Sequence, residues 1–254
     1  MIKQVSCTCT GEKIYGLAYI PYENKKYPTV IFAHGFYVNH TYFTDYAEKL
    51  LEHGIASYIF DFRGGKVENK SDGNLLTTSV LTEIDDLTEV VHRIKNEEFV
   101  DENNLYLLGH SQGGYVSSVV ASRNPTLFKT LFLLAPGFLI PDVMKKMTLP
   151  DDGELTANIA GYVSQKYILD GRKLDIYNEI TNYKGPVHIF HGSKDSAVAL
   201  NYSQKAVNLY KNADLTIIDG EHHNFREKGK TIVFNKILEV IKGNKHDKRG
   251  KLYN

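Results

Sequence analysis

The sequence carries only two cysteines, no excess charge of either sign and no apolar run of membrane-spanning length, and each scarcity removes a class of explanation. Cys7 and Cys9 stand two apart in a stretch with strand character. That spacing suits neither a structural disulfide nor a four-ligand zinc site, so both read as reduced, structurally ordinary thiols. Lysine plus arginine and aspartate plus glutamate both total 30, so no net field draws the chain to nucleic acid or anionic lipid. A small, nearly neutral substrate is favoured. No stretch approaches the roughly 18 consecutive apolar residues of a membrane span, and Met1-Ile2-Lys3-Gln4-Val5-Ser6 lacks the apolar core of a signal peptide. A soluble, cytoplasmic protein with no membrane partner is expected. The ten histidines include no His-x-x-x-His spacing, so no catalytic metal is expected either. There is no internal repeat and no low-complexity linker.

What is present is enough apolar residue for one substantial core: 254 residues, 42% hydrophobic and 24% charged, favour one main domain. Ile2 to Thr8 and Lys13 to Ile20 are strand-like runs around Cys9-Thr10-Gly11-Glu12, which reads as a hairpin. Tyr27 to Ala33 is a continuous apolar run of the kind buried on both faces, followed by a helix over Tyr42 to His53 and a strand over Ile55 to Phe60. Asp61 to Asn74 is polar and glycine-rich, and Leu81, Ile84, Leu87, Val91 and Ile94 mark one face of a long helix reaching about Glu98. Strands at Leu105 to Leu108, Thr130 to Ala135, Val187 to Phe190 and Leu215 to Ile218 complete the alternation, with helices from about Leu200 to Tyr210 and Glu227 to Lys242. Strands alternating with helices imply an α/β fold, a mostly parallel sheet covered on both faces behind an N-terminal antiparallel hairpin. Residues 1–136 and 186–243 form the expected core and 137–185 a cap insertion; 244–254 is a charged tail.

The chemistry centres on Gly109-His110-Ser111-Gln112-Gly113, which fits G-x-S-x-G between a strand and a helix. In such a nucleophile elbow, small flanking residues relieve crowding around a serine held in a strained backbone. A serine there needs a base, a group to orient the base, and donors for the charge that develops on a carbonyl oxygen. Asp195 follows the strand Val187 to Phe190, and His222-His223 follows the strand Leu215 to Ile218. The order serine, aspartate, histidine is the hydrolase order and puts all three at one edge of a parallel sheet. Ser111 would attack, His223 would carry its proton, and Asp195 would hold the imidazole.

His34-Gly35-Phe36, Phe60-Asp61-Phe62-Arg63-Gly64, Gly109 to Gly114, His191-Gly192-x-x-Asp195-x-x-Val198 and Gly220-x-x-His223-x-Phe225 together resemble the α/β-hydrolase superfamily over roughly residues 10 to 242. Within it the chain is most similar to small carboxylesterases of the cinnamoyl or feruloyl esterase type. The resemblance implies the α/β-hydrolase fold, an oxyanion hole from the backbone N–H groups of Phe36 and Gln112, and no cofactor. It also implies cap groups that grip a phenolic ring, near Asp142 and Tyr162. Many relatives continue the Asp-Phe-x-Gly segment with His-Gly-x-Ser, whereas this chain reads Arg63 to Gly73 differently, a departure that bears on substrate access more than on the triad.

Blander readings stand beside these. Ser111 could be a small residue in a tight turn, Asp195 a loop aspartate capping the next helix, and His34 a brace for the oxyanion loop. His222 competes with His223, and the spacing from Gly220 and to Phe225 favours His223. The expected activity is hydrolysis of a small-molecule carboxylic ester through an acyl-enzyme. Lipid-ester, thioester or aminopeptidase-like hydrolysis, and a non-catalytic binding protein on the same fold, stay open, as does a homodimer.

Overall fold

The computed structural model describes residues 1–22, 24–65, 68–158 and 160–243. The expected charged tail, 244–254, lies outside the described residues. The two N-terminal runs, expected as one hairpin, each break in two. Ile2–Gln4 (β1) and Gly16–Tyr19 (β4) pair antiparallel in the large sheet, while Cys7–Cys9 (β2) and Glu12–Ile14 (β3) pair as a separate ribbon. Tyr58 causes the break: its hydroxyl donates to Val5 O (2.7 Å) and fills the space where a Cβ on Gly16 would sit. The ribbon turns at Thr10-Gly11, both at positive φ (51° and 85°), as a two-residue type I′ turn requires. Both cysteines are free thiols.

The chain then alternates. Tyr27–Ala33 (β5) leads through a 3-10 turn at His40–Phe43 into Thr44–Glu52 (α1), and Ala56–Phe60 (β6) precedes Val80–Ile94 (α2). Val100–His110 (β7) is longer than expected, and Gln112–Arg123 (α3) and Thr130–Leu134 (β8) follow it. Residues 137–185 hold Ile140–Lys146 (α4), an antiparallel pair Leu155–Asn158 (β9) and Gly161–Ser164 (β10), Gln165–Gly171 (α5) and Ile176–Glu179 (α6). None of these strands joins the large sheet. Val187–Gly192 (β11), Leu200–Val207 (α7), Ala213–Ile218 (β12) and Glu227–Lys242 (α8) close the fold.

The eight-stranded sheet runs β1-β4-β6-β5-β7-β8-β11-β12, antiparallel up to β6 and parallel thereafter. Its strands alternate cleanly between two cores. Ile31, Leu107 and Leu133 face α2 and α3, while Val30, Phe32, Leu108 and Phe132 face α1 and α8. Each such side chain contributes roughly 1.5–3 kcal/mol on burial, so a slip of one residue would invert both cores; the register is therefore strongly specified. Successive strands β6 and β7 lie on opposite sides of β5, so the order of the chain reverses there. The crevice at the carboxyl ends of the strands at such a point is where ligands of open α/β sheets bind.

The loop after β6 is tied down from within. Asp61 is fully buried and accepts from His40 N and Nδ1 (2.7 Å each) and from Lys70 N (2.9 Å). Arg63 donates through N and Nε to Asp86 on α2 (2.9 and 2.5 Å) and through one terminal nitrogen to Cys9 O, Thr10 Oγ1 and Glu12 Oε2. One guanidinium thus pins the β2–β3 ribbon to the sheet's helical layer. Removing one partner of a buried ion pair leaves the other charge uncompensated. Arg63→Met should therefore lower unfolding free energy by about 3–5 kcal/mol in urea titration, and a loss below about 1 kcal/mol would mean the pair is not holding this corner.

Candidate active site

Ser111 sits between β7 and α3 with φ 54° and ψ −119°, a backbone conformation that L residues rarely adopt. The neighbouring glycines show why it is possible. A Cβ on Gly113 would lie 2.1 Å from Ala33 O and 2.3 Å from His34 O, and one on Gly109 would lie 2.3 Å from Gly113 O. Only glycines let the start of α3 press against the end of β5. The turn is then held by Ser111 N donating to Leu134 O (2.9 Å) and Ser111 O accepting from Gly137 N (2.7 Å) and Tyr115 N (3.1 Å).

Two further loops meet this serine, and they are tied to each other. Lys194 N donates to Glu221 O (2.8 Å), Gly220 N to Ser193 Oγ (2.9 Å), and Ser193 N to Ile218 O (3.0 Å). The loop after β11 therefore has a set height relative to the loop after β12. Across that join, His223 Nδ1–H donates to Asp195 Oδ2 (2.8 Å), and Ser111 Oγ–H donates to His223 Nε2 (2.9 Å). His222 is exposed and takes no part in this chain of bonds.

Asp195 accepts more than one bond. Its Oδ1 takes Ala197 N and Val198 N (2.8 and 2.9 Å), and its Oδ2 also lies 3.3 Å from His191 Nε2. The expected cap on the next helix is not made, since α7 starts at Leu200 behind Ala199 with no side-chain cap; Oδ1 instead closes the loop at Ala197 and Val198, while Oδ2 orients the imidazole. Burial alone would raise its pKa, but the bonds from His191, His223 and the Val198 N–H outweigh it and hold the group well below the usual carboxylate range. Asp195 stays ionised and so keeps the proton of His223 on Nδ1, leaving the Nε2 lone pair toward Ser111.

Two further histidines do structural work, His34 as the brace that the sequence suggested and His110 as one that it did not. His34 is buried; its Nε2 accepts from Phe62 N (3.2 Å), so Nδ1–H donates to Gly35 O (2.8 Å) and braces the loop that carries Phe36. His110 stacks on Tyr42 (4.6 Å between ring centres), and its Nε2–H donates to the carbonyl of His223 (3.1 Å). It anchors the base loop to the nucleophile turn. Burial and the neighbouring His223 push its pKa down to about 3. Nothing in the sequence marked this residue, because its partner lies 113 positions away.

A cavity of about 230 Å3 opens beside Ser111. Gly35 and Phe36 border it on one side, Gln112 and His223 on another, and the 137–185 segment contributes Leu139, Ile140, Val143, Met144 and Tyr167. A Cβ on Gly35 would come within 3.2 Å of Ser111 Cβ, so the loop that carries Phe36 abuts the serine directly. The Gln112 N–H heads α3 and has no acceptor four residues back within the helix. Asp142 and Tyr162, expected near a substrate ring, are not among the residues lining this cavity. Asp142 is exposed and accepts from Tyr202 OH (3.1 Å), and Tyr162 is 54% exposed, with its backbone N–H on Tyr37 OH (3.0 Å). Val143, next to Asp142 on α4, and Tyr167, on α5 beyond the strand β10 that carries Tyr162, take the inward positions. No described residue of 63–73 lines the cavity either; that loop instead supports the β2–β3 ribbon. Among the described residues no group of three His, Cys, Asp or Glu side chains is placed to hold a metal, and no helix is long and apolar enough to cross a membrane.

An elbow serine on a mostly parallel sheet, at the carboxyl ends of the strands, defines the class: this is an α/β-hydrolase fold, of a family whose members imply serine hydrolases. The family described as serine aminopeptidase, S33, matches residues 24–177, more than half of the chain, and the protein belongs to it. Among solved structures, the chain is similar to Est1E from Butyrivibrio proteoclasticus with ferulic acid bound. The two are 26% identical over 94% of this chain and 99% of that one, at a TM-score of 0.82. A second Est1E structure from the same organism shares 24% identity over 94% and 99% at a TM-score of 0.79. The α/β hydrolase GrgF from Penicillium sp. sh18 shares the fold at 17% identity over 95% and 98%, with a TM-score of 0.76.

The neutral His110 makes stability depend on pH in a defined direction. Its pKa of about 3 in the folded state is below the ordinary value of 6.5, so between those pH values the unfolded chain binds the extra proton. Its contribution is present above pH ~6.5 and is lost as pH falls, by up to about 1.4 kcal/mol per pH unit. The stability difference between wild type and His110→Gln should accordingly shrink on going from pH 7 to pH 4.5 in urea titrations. A difference that stays constant would show that His110 protonates freely in the folded protein.

Proposed function

We propose that this protein is a serine carboxylesterase acting on small or aryl esters through an acyl-enzyme. The observation that carries the reading is the continuous hydrogen-bonded chain from Ser111 Oγ through His223 to Asp195, 2.9 and 2.8 Å, at the wall of an apolar cavity. Ser111 Oγ attacks the ester carbonyl as its proton passes to His223 Nε2, and the oxyanion forms against the N–H groups of Phe36 and Gln112. Asp195 stabilises the imidazolium, which then returns the proton to the departing alcohol. Water repeats the sequence on the acyl-enzyme, and the acid is released.

The cavity supports the substrate class. Its volume of about 230 Å3 lies below the ~300–1,000 Å3 of sites for drug-sized ligands, which suits a short acyl chain or a single ring rather than a long lipid chain. The segment 137–185 acts as a cap that supplies the apolar wall. Est1E, similar at 26% identity, binds ferulic acid, so a hydroxycinnamoyl ester is the first aryl substrate to try. An aminopeptidase reading is weaker: the described lining residues include no aspartate or glutamate to pair with a substrate ammonium group.

Purified wild type should hydrolyse p-nitrophenyl butyrate, with Ser111→Ala reduced by at least ~10³-fold while still folded. Equal rates in the two would leave a binding protein as the better description. Val143→Trp should lower kcat/KM for an aryl ester at least about tenfold relative to p-nitrophenyl acetate, since the indole occupies the cavity wall. Asp142→Ala and Tyr162→Ala should leave that ratio within about twofold. If all variants behave alike, the cavity is not where the acyl group sits.

A further inference from the structure

Behind the two oxyanion donors lies a buried acid that the triad chemistry does not use. Glu83, in the first turn of α2, is 5% exposed, and its Oε2 has no hydrogen-bond partner among the described residues. The Gln112 side chain lies beside it, near enough to favour the carboxylate, yet Gln112 Nε2 is also buried and unpartnered. The other end of the same amide is engaged: Gln112 Oε1 accepts from Tyr167 OH on α5. Glu83, Gln112 and Tyr167 therefore form a row from the core helix α2, across the residue that heads α3, to the cap. The void bordering Glu83 beneath the Phe36 loop measures only about 10 Å3. No substrate fits there, so Glu83 can act on the site only from behind.

The charges facing Glu83 decide its state. On α2 the nearest is Asp86, already paired with Arg63. From α3 comes Gln112, with Tyr115 further along; from α5 come Tyr167 and Asp170, the latter held by Ser79, Lys166 and Lys173. His34 borders the same void, its own pKa lowered by burial; Cys7 and Cys9 of β2, which packs on the same helix, have pKa values raised by burial and feel Asp86 rather than Glu83. No cation among the described residues is paired with Glu83, because each nearby lysine or arginine is committed to another carboxylate. Burial thus pushes its pKa up to about 8 despite Gln112, with Asp86 adding to the rise.

We propose that Glu83 is a positioning residue for the oxyanion hole: while protonated it backs the Gln112 side chain without adding charge, and once ionised it opposes the negative charge developing at the Gln112 N–H. This rests on the esterase reading of the site. A carboxylate behind the donor repels the oxyanion of the transition state but not the neutral ester, so its effect falls on kcat rather than on binding. If the oxyanion raises the Glu83 pKa by one unit, the ionised enzyme turns over tenfold more slowly.

The test is kcat for a p-nitrophenyl ester from pH 6.5 to 9.5, corrected for spontaneous hydrolysis, in wild type and Glu83→Gln, with urea midpoints measured in parallel. Wild-type kcat should decline by roughly tenfold about a midpoint near 8, with KM nearly constant, and the variant should lack that decline. The midpoints provide a readout independent of turnover. A folded-state pKa raised from 4.5 to about 8 gives stability that is full below 4.5 and lost as pH rises through 8, and Glu83→Gln should abolish that loss. The proposal is overturned if the variant keeps the wild-type decline in kcat, or if wild type shows none. An inactive wild type would instead remove the esterase reading and the oxyanion role with it, even if the stability slope still identified Glu83 as a buried neutral acid.

Discussion

The contact on which this structure depends is the approach of the first turn of α3 to the carboxyl end of β5. It brings Gly113 so close to the carbonyls of Ala33 and His34 that no side chain could stand there, and it forces Ser111 into a backbone conformation with φ 54°. The cost of such a conformation, of order 1–3 kcal/mol, persists only where the surroundings over-determine it. Here they do so through apolar side chains alternating onto two cores, many of them contributing as much as the strain costs. Sheet, helices and glycines thus act together to lift one hydroxyl to the rim of the sheet.

From that point the site is assembled by bonds between loops. The carbonyl of Glu221 and the hydroxyl of Ser193 join the loops after β11 and β12, and the His110 ring joins the second of these to the serine turn. His34 does the same for the loop that carries Phe36, through Phe62 and Gly35. Asp195, with bonds to both oxygens, is electrostatically committed, whereas Glu83 a few side chains away is nearly without partners. Two carboxylic acids in one small region are pushed to opposite sides of neutrality by their surroundings.

The cap segment shows where pattern reading stops. Continuous apolar runs made β5, β7, β8 and β11 legible, because a strand buried on both faces leaves little choice of residue, and α8 was bounded in the sequence where it is bounded in the structure. Residues 137–185 carry short elements with mixed faces, and four to seven residues hold too little periodicity to say which side points inward. Val143 and Tyr167 rather than Asp142 and Tyr162 reach the cavity for that reason. The N-terminal hairpin broke at Val5 and Gly16 because of Tyr58, a side chain more than forty positions away.

Taken alone, the sequence determined the fold class, the elbow serine and the order in which its partners follow, since these rest on local signals: strand-length apolar runs, glycines at a tight turn, and polar residues just past strand ends. Tertiary structure alone decided that His110 is a neutral anchor, which cap residues wall the cavity, and that Glu83 lies behind Gln112 without a counter-charge. Those properties depend on distance and burial among groups far apart in the chain. Local pattern carries no information about them, because solvent exclusion and hydrogen-bond geometry exist only once the chain is packed.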